Sequence, residues 1–309
     1  MSSRRVLVTG GRGFVGRRLV EALQQRGASV LAPPRTGDNE LDLQCQGTIE
    51  RHLREFSPDA VIHLGAMTHL PEVLSKPDLA FDINVMGTWR LIDSVARVCP
   101  STKVILVSTC SVFGSPSSED LPLKESHPRR STHPYGVQKI ALEDMGERFA
   151  ADRGLNIVIA RPFNHVGPGP NTRFAVGFFA REIARIEAGR GEPLMRVGNL
   201  EPRREILHVD DVVAAYISLL EAGSATGVYN IASGESVRIG DALDHLVRNA
   251  RVCIAIDSDP SLFRPMDAPD LAGDSSRIRQ EFGWKPAHVW RETLVEILED
   301  ARAREAGVT

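Results

Sequence analysis

The 309-residue sequence predicts an α/β fold: a doubly wound parallel sheet carrying a smaller C-terminal α/β cap. Three observations predict it. Short β-branched runs alternate with helical patterns through the first half, which implies parallel strands joined by right-handed crossovers. The runs VLV, AVIHL, VILV and IVIA carry little polar interruption, as strands do when helices cover both faces of the sheet. A glycine-rich turn joins the first strand to the first helix.

Arg4 to Thr9 reads as a strand, and Phe14 to Arg26 as a helix with Val15, Leu19, Ala22 and Leu23 on one face. Ser29 to Ala32 is a second strand, Thr48 to Phe56 a helix and Ala60 to Leu64 a strand. Leu79 to Val98 is a long helix, Lys103 to Val107 a strand, Tyr135 to Ala151 a helix and Asn156 to Ala160 a strand. The Gly- and Pro-dense stretch Val166 to Asn171 then turns the chain sharply. Helices follow at Ala175 to Glu187, Val209 to Glu221, Ile239 to Asn249 and Trp290 to Ala303, with strands at Leu194 to Val197 and Val228 to Ala232. The expected division sets 1–165, with 206–232 returning to it, against a cap of 166–205 and 233–309. A cap at the carboxyl edge of the sheet sits where open α/β folds bind ligands.

Apolar residues make up 42% of the chain, charged residues 25%, and the net charge is −3. Nothing in that balance draws the chain to nucleic acid or an anionic membrane. The apolar run Val6 to Val8 is too short for a signal peptide, and no run approaches the roughly 18–20 apolar residues of a membrane span. Cys45, Cys99, Cys110 and Cys253 lie far apart with no CxxC pair, as free thiols in a reducing compartment do. A cytoplasmic protein is expected. The nine histidines show no metal-ligand spacing, so no metal is expected.

The turn reads Gly10-Gly11-Arg12-Gly13-Phe14-Val15-Gly16. Gly10 allows the tight bend, Gly13 lets a pyrophosphate approach the backbone, and Gly16 lets the helix pack closely; the free amides at the helix start favour negative phosphates. An acid at the end of the second strand would mark NAD. Pro33-Pro34-Arg35 stands there instead, and Arg35 with Arg12 can pair with a 2′-phosphate. NADP(H) is therefore favoured over NAD(H).

Tyr135 and Lys139 form YxxxK at the start of a helix, one turn apart on one face. A free tyrosine titrates near ~10, too high for proton transfer at neutrality, and a nearby ammonium lowers it. Ser108-Thr109-Cys110-Ser111 follows a strand, at the edge where a hydroxyl can hydrogen-bond a reacting carbonyl.

The order of these motifs, with His63-Leu64-Gly65-Ala66, Asn84-x-x-Gly87-Thr88 and Ser108 to Gly114 between them, resembles the extended short-chain dehydrogenases/reductases acting on sugar nucleotides. The resemblance covers essentially the whole chain. It implies a Rossmann sheet, Tyr135 as proton donor or acceptor, Lys139 as its tuner and ribose ligand, and Thr109 as assistant. It further implies cofactor contacts from Gly10, Arg12, Gly13, Phe14, Val15, Gly16, Arg35, Asp42, Leu43, Leu64, Gly65, Ala66, Asn84, Val107 and Pro162, besides Tyr135 and Lys139. Gly65 stands where alanine is usual, a change expected to be harmless. A homodimer is expected, because in this family the two long helices commonly pair with those of a second subunit; their apolar positions could equally be buried within one chain.

The cap resembles more narrowly the GDP-6-deoxy-D-mannose reductases and their relatives, the GDP-mannose 4,6-dehydratases. Arg161 to Gly169 (RPFNHVGPG), Val197-Gly198-Asn199-Leu200, Arg204-Glu205-Ile206 and Arg264-Pro265 carry the likeness, with Glu205 and Ile206 where Asp and Phe are common. It implies Arg204 and Arg264 for the substrate diphosphate, Val197 and Asn199 for the base, and Asn164 with Thr109 for the sugar. Dehydratases place a Glu after the catalytic threonine to drive elimination; Cys110 and Ser111 stand here. A neutral thiol and hydroxyl disfavour elimination and favour carbonyl reduction. The expected reaction is NADPH-dependent reduction at carbon 4 of GDP-4-keto-6-deoxy-D-mannose, giving GDP-D-rhamnose, or GDP-6-deoxy-D-talose by attack on the other face. The alternatives are an NAD-dependent 4-epimerase or 4,6-dehydratase. A non-catalytic nucleotide sensor would have no need of the Thr–Tyr–Lys set.

Overall fold

Period-two alternation in the strands sets the layers. In β1 (Arg5–Thr9), Val6 and Val8 point to one face and Leu7 to the other, and all three are fully buried. The computed structural model describes residues 4–37, 39–169, 174–223, 225–263 and 268–307. After β1 come α1 (Phe14–Gln25), β2 (Ser29–Leu31), α2 (Gln46–Phe56), β3 (Ala60–His63), α3 (Leu70–Ser75) and α4 (Pro77–Phe81). Then follow α5 (Gly87–Val98), β4 (Lys103–Val107), α6 (Pro134–Arg153), β5 (Ile157–Pro162) and β6 (His165–Val166). The chain continues through α7 (Ala175–Glu187), β7 (Leu194–Val197), β8 (Arg203–Arg204), β9 (Leu207–His208), α8 (Val209–Glu221) and β10 (Gly227–Ile231). It ends with β11 (Val237–Arg238), α9 (Ile239–Arg248), β12 (Ala255–Ser258), β13 (Asp270–Leu271), α10 (Ser276–Phe282) and α11 (Trp290–Glu305).

Six strands pair in parallel in the order β10-β5-β4-β3-β1-β2. This is the doubly wound sheet the alternation predicts. One face carries Val6, Val8, Ile62, Ile105 and Val158 against Leu19 and Leu23 of α1 and Val212, Tyr216 and Leu219 of α8. The opposite face carries Leu7, Val61, Val104, Leu106 and Ile157 against Leu53 of α2, Leu91 and Val95 of α5 and Leu142 and Phe149 of α6. A separate core joins α7, α9, α11 and β7 through Phe179, Ile183, Leu243, Leu246, Leu294 and Leu298. Within 233–309, the stretch expected in the cap, Ile278 and Trp284 instead pack into the sheet core, and Trp284 Nε1 donates to Asp211 O of α8 at 3.0 Å.

Several elements depart from the expectation. The long helix is broken by a π turn over Asp82–Met86, which carries Asn84 toward the loop after β3. Helices α3 and α10 are too short for their period to register. Strand β12 pairs with β7 but exposes all four residues, so no alternation marks it. No helix among the described residues is long and apolar enough to cross a membrane.

Candidate active site

Parallel pairing brings the carboxyl ends of all the strands to one edge, and the site is built there. The chain leaves β1 at Gly10 with φ +70°, a left-handed conformation that a side chain makes costly. A Cβ on Gly10 would lie 2.9 Å from Leu64 C and Gly65 N, so the turn backs onto the loop after β3. A Cβ on Gly16 would strike Gly10 O and the Gly11 backbone. Gly13 is different: a Cβ there meets only Gly10 O, at 3.2 Å, and otherwise open space. No side chain caps α1 and no acid stands in its first turn. An open backbone cradle at an uncapped helix start fits a dinucleotide pyrophosphate. Gly11, not singled out in the sequence, is held by Ala32, whose Cβ would be 2.6 Å from an added Cβ.

At the outer rim Arg12 and Arg35 are exposed and pair with no carboxylate among the described residues. Phe14 and Val15 are half-buried at the start of α1. Asp42 Oδ1 accepts from Gln44 N at 2.9 Å, and Leu43 packs where a Cβ on Gly65 or Gly87 would fall. Leu64, Gly65 and Ala66 form the half-buried loop after β3. Asn84 is 1% exposed and spends its amide inside the protein. Its Oδ1 accepts from Met67 N at 2.8 Å, and its Nδ2 donates to Met67 O at 2.9 Å and Gln138 Oε1 at 2.8 Å. The expected direct cofactor contact from this side chain gives way to a clamp on the 64–67 loop.

Below that loop lies a buried polar chain that the motif reading passed over. Thr88 Oγ1 donates to Asn84 O at 2.7 Å, so it accepts from His63 Nε2 at 3.1 Å. His63 Nδ1 then accepts from Thr9 Oγ1 at 2.7 Å, and Thr9 Oγ1 accepts from Gly65 N at 3.1 Å. Burial first, and the Lys139 charge second, push His63 down to about 3, so the ring is neutral.

Thr109 follows β4 and caps the short turn Cys110–Phe113, accepting from Ser111 N at 3.2 Å. Pro134 and His133 start α6, placing Tyr135 in its first turn and Lys139 one turn later. The Tyr135 hydroxyl is pushed well above its ordinary value, by burial and then by Cys110, while a hydrogen bond from Thr109 pulls the other way. The expectation that Lys139 holds this phenol low is not met in this geometry: desolvation dominates. Lys139 Nζ donates to Val107 O at 2.7 Å, and burial lowers it to about 8 against the opposing charge of Glu143. The Cys110 thiol is pushed up to about 12 by burial, with Arg204 opposing, and lies 3.8 Å from Asn164 Oδ1. Thr109, Cys110, Tyr135, Lys139, Asn164 and Arg204 thus converge at the ends of β4, β5 and β8, with Pro162 closing β5.

Other expected residues lie elsewhere. Alternation along β7 turns Met195 and Val197 inward, and Val197 is 1% exposed in the C-terminal core. Its side chain is therefore removed from any base pocket. Asn199 is exposed and its Oδ1 accepts from Glu201 N at 3.0 Å. Arg264 lies outside the described residues. Two buried hydrogen-bond networks went unread in the sequence. Glu143 and Arg161 form a buried fork beneath Lys139, with contacts of 2.6 and 2.7 Å; the i,i+4 spacing from Lys139 was the available signal. Glu205 is buried and pushed up to about 7 by desolvation, against four hydrogen bonds.

Residues 6–232 match the NAD dependent epimerase/dehydratase family. The chain is 33% identical to GDP-6-deoxy-D-mannose reductase of Pseudomonas aeruginosa, over 98% of both chains. It is 28% identical to UDP-glucose 4-epimerase of Azospirillum brasilense, over 93% of this chain and 88% of the relative. It superposes on the solved structure of RMD from Pseudomonas aeruginosa complexed with NADPH with a TM-score of 0.89, at 32% identity, covering 98% of this chain and 100% of that one. With the family match over residues 6–232 and end-to-end similarity in sequence and structure, the chain belongs to the NAD dependent epimerase/dehydratase family, the extended short-chain dehydrogenases/reductases.

Proposed function

We propose that the protein reduces the 4-keto group of GDP-4-keto-6-deoxy-D-mannose with NADPH, forming GDP-D-rhamnose. The observation that carries this reading is Thr109, Tyr135 and Lys139 gathered at the end of β4, with Cys110 after Thr109 where elimination would want a carboxylate. End-to-end similarity to GDP-6-deoxy-D-mannose reductase supports the substrate. NADPH, when bound, supplies the hydride that adds to carbon 4. Tyr135 gives its proton to the oxygen gaining charge, and Thr109 hydrogen-bonds that oxygen. A phenol keeps its proton at neutral pH even unperturbed, and burial raises it further, so the donor is loaded before turnover. Lys139, anchored on Val107 O, presents its charge to the nicotinamide ribose. Asn164, Arg204 and Arg264 hold sugar and diphosphate.

The test is loss of NADPH absorbance with substrate made in situ by a known dehydratase, and the product identified by NMR. No oxidation beside an active control reductase removes this substrate and favours the 4-epimerase, which would retain NAD(H) through purification. Arg12 and Arg35 have charge to spare for a 2′-phosphate. Reversing both (Arg12→Glu with Arg35→Glu) is expected to lower the NADPH-over-NADH preference by about tenfold to a hundredfold. An unchanged ratio of kcat/KM values would remove both from phosphate binding.

The oligomer we propose is a homodimer through the paired α5 and α6 and the adjoining α4. Phe81, Trp89 and Val137 are 51%, 45% and 49% exposed there, and large exposed apolar side chains mark association surfaces. Trp89→Glu is expected to yield a monomer in sedimentation analysis; a wild-type monomer ends the proposal. The four free cysteines support a cytoplasmic location.

A further inference from the structure

Strand β8 is the middle of a three-stranded sheet in the order β11-β8-β13, and Glu205 is the next residue along the chain. Its side chain closes the end of that sheet. One oxygen accepts from Ser233 N at 2.5 Å and Ser233 Oγ at 2.8 Å, in the loop that leads to β11. The other accepts from Gly273 N at 2.7 Å, just past β13, and from Gly234 N at 3.3 Å. Gly273 in turn lies against the Phe163 ring, where a Cβ would collide, and Phe163 precedes Asn164. Arg204 precedes Glu205 and sits close enough to Cys110 to act on its thiol, as Glu205 itself does. One buried carboxylate therefore ties the chain beside Arg204 to the 233–234 loop and to Gly273, which backs the neighbour of Asn164.

We infer that Glu205 is a positioning residue for the sugar nucleotide: by gathering the 233–234 and 273 backbones it holds Arg204 and Asn164 in their places at the cleft. The inference rests on the sugar-nucleotide reading above. Glutamine has the same shape but puts an amide group against backbone donors, so the gathering fails on one side. Aspartate keeps the charge.

Glu205→Gln is expected to raise KM for the sugar nucleotide by about tenfold or more. Its kcat and its NADPH affinity stay near wild type, and Glu205→Asp regains much of the lost affinity. A variant that only melts earlier, with KM unchanged, overturns the inference. Should Glu205→Gln fail to fold, Ser233→Ala deletes one donor and keeps the carboxylate; a raised KM supports the inference and an unchanged KM sinks it. Calorimetry with GDP and with UDP separates the two levels. Wild type that binds neither overturns the substrate reading and this inference with it. Wild type and Glu205→Gln binding GDP equally, with equal KM, overturn the inference alone.

Discussion

Tyr135→Phe is expected to lower kcat by about 10²- to 10⁴-fold while NADPH binding stays near wild type. The hydroxyl stands beside Thr109 in the first turn of α6, and burial raises its pKa further. Removing it deletes the proton donor without touching the turn at Gly10 to Gly16 or the Lys139 anchor on Val107 O. The neighbouring thiol is no substitute, since burial pushes Cys110 up to about 12 and its sulfur faces Asn164. Thr109 alone retains a hydrogen bond to the developing oxyanion, which accounts for residual turnover. Steady-state rates with fluorescence titration of NADPH make the check. A variant that keeps most of its rate would move proton donation to another group; one that loses NADPH binding would make Tyr135 a cofactor ligand first.

Arg161→Met is expected to destabilise the fold by about 3–5 kcal/mol in urea unfolding, because it strands a buried charge. Glu143 is fully buried and Arg161 is 2% exposed. The guanidinium meets the carboxylate with Nε at 2.7 Å and Nη2 at 2.6 Å, while Ser108 Oγ adds a third contact at 2.5 Å. Arg129 reaches the same carboxylate at 3.1 Å from a half-buried position, so Arg129→Ala costs far less. Replacing both partners, Arg161→Met with Glu143→Leu, is expected to recover part of the loss, since the stranded carboxylate is gone while Lys139 loses its opposing charge. A single variant as stable as wild type would mean that water or Arg129 compensates Glu143. Loss of Glu143 in the double variant also removes the charge that opposes the burial of Lys139, so its activity is expected to remain low even where stability returns.

The sheet was legible because parallel strands buried on both faces write themselves as unbroken apolar runs, and β1, β3, β4 and β5 all do so. The turn was legible because glycines at 10 and 16 answer to steric needs that no other residue meets. What the sequence hid was contact across distance. Asn84 carries a recognisable motif, yet its amide serves Met67 and Gln138, which lie 17 and 54 residues away. Val197 sits in a recognisable segment, yet strand alternation turns it into the core. Glu205 read as a departure from the common aspartate that weakens the likeness; that it collects amides from two distant loops depends on tertiary placement. The phenol–lysine coupling was inferred from one helical turn of spacing, and spacing carries no information about desolvation.

The chain from Gly65 through Thr9, His63 and Thr88 to Asn84 has a direction. Every hydrogen in it is assigned: an amide donates at one end, a carbonyl accepts at the other, and a neutral ring sits between. A proton hop along it would have to end on a backbone carbonyl, which keeps no proton. The floor of the cleft is in this sense an insulator, polar yet unable to conduct. None of these hydrogen bonds touches Tyr135, so the proton the phenol gives up is not resupplied along this chain.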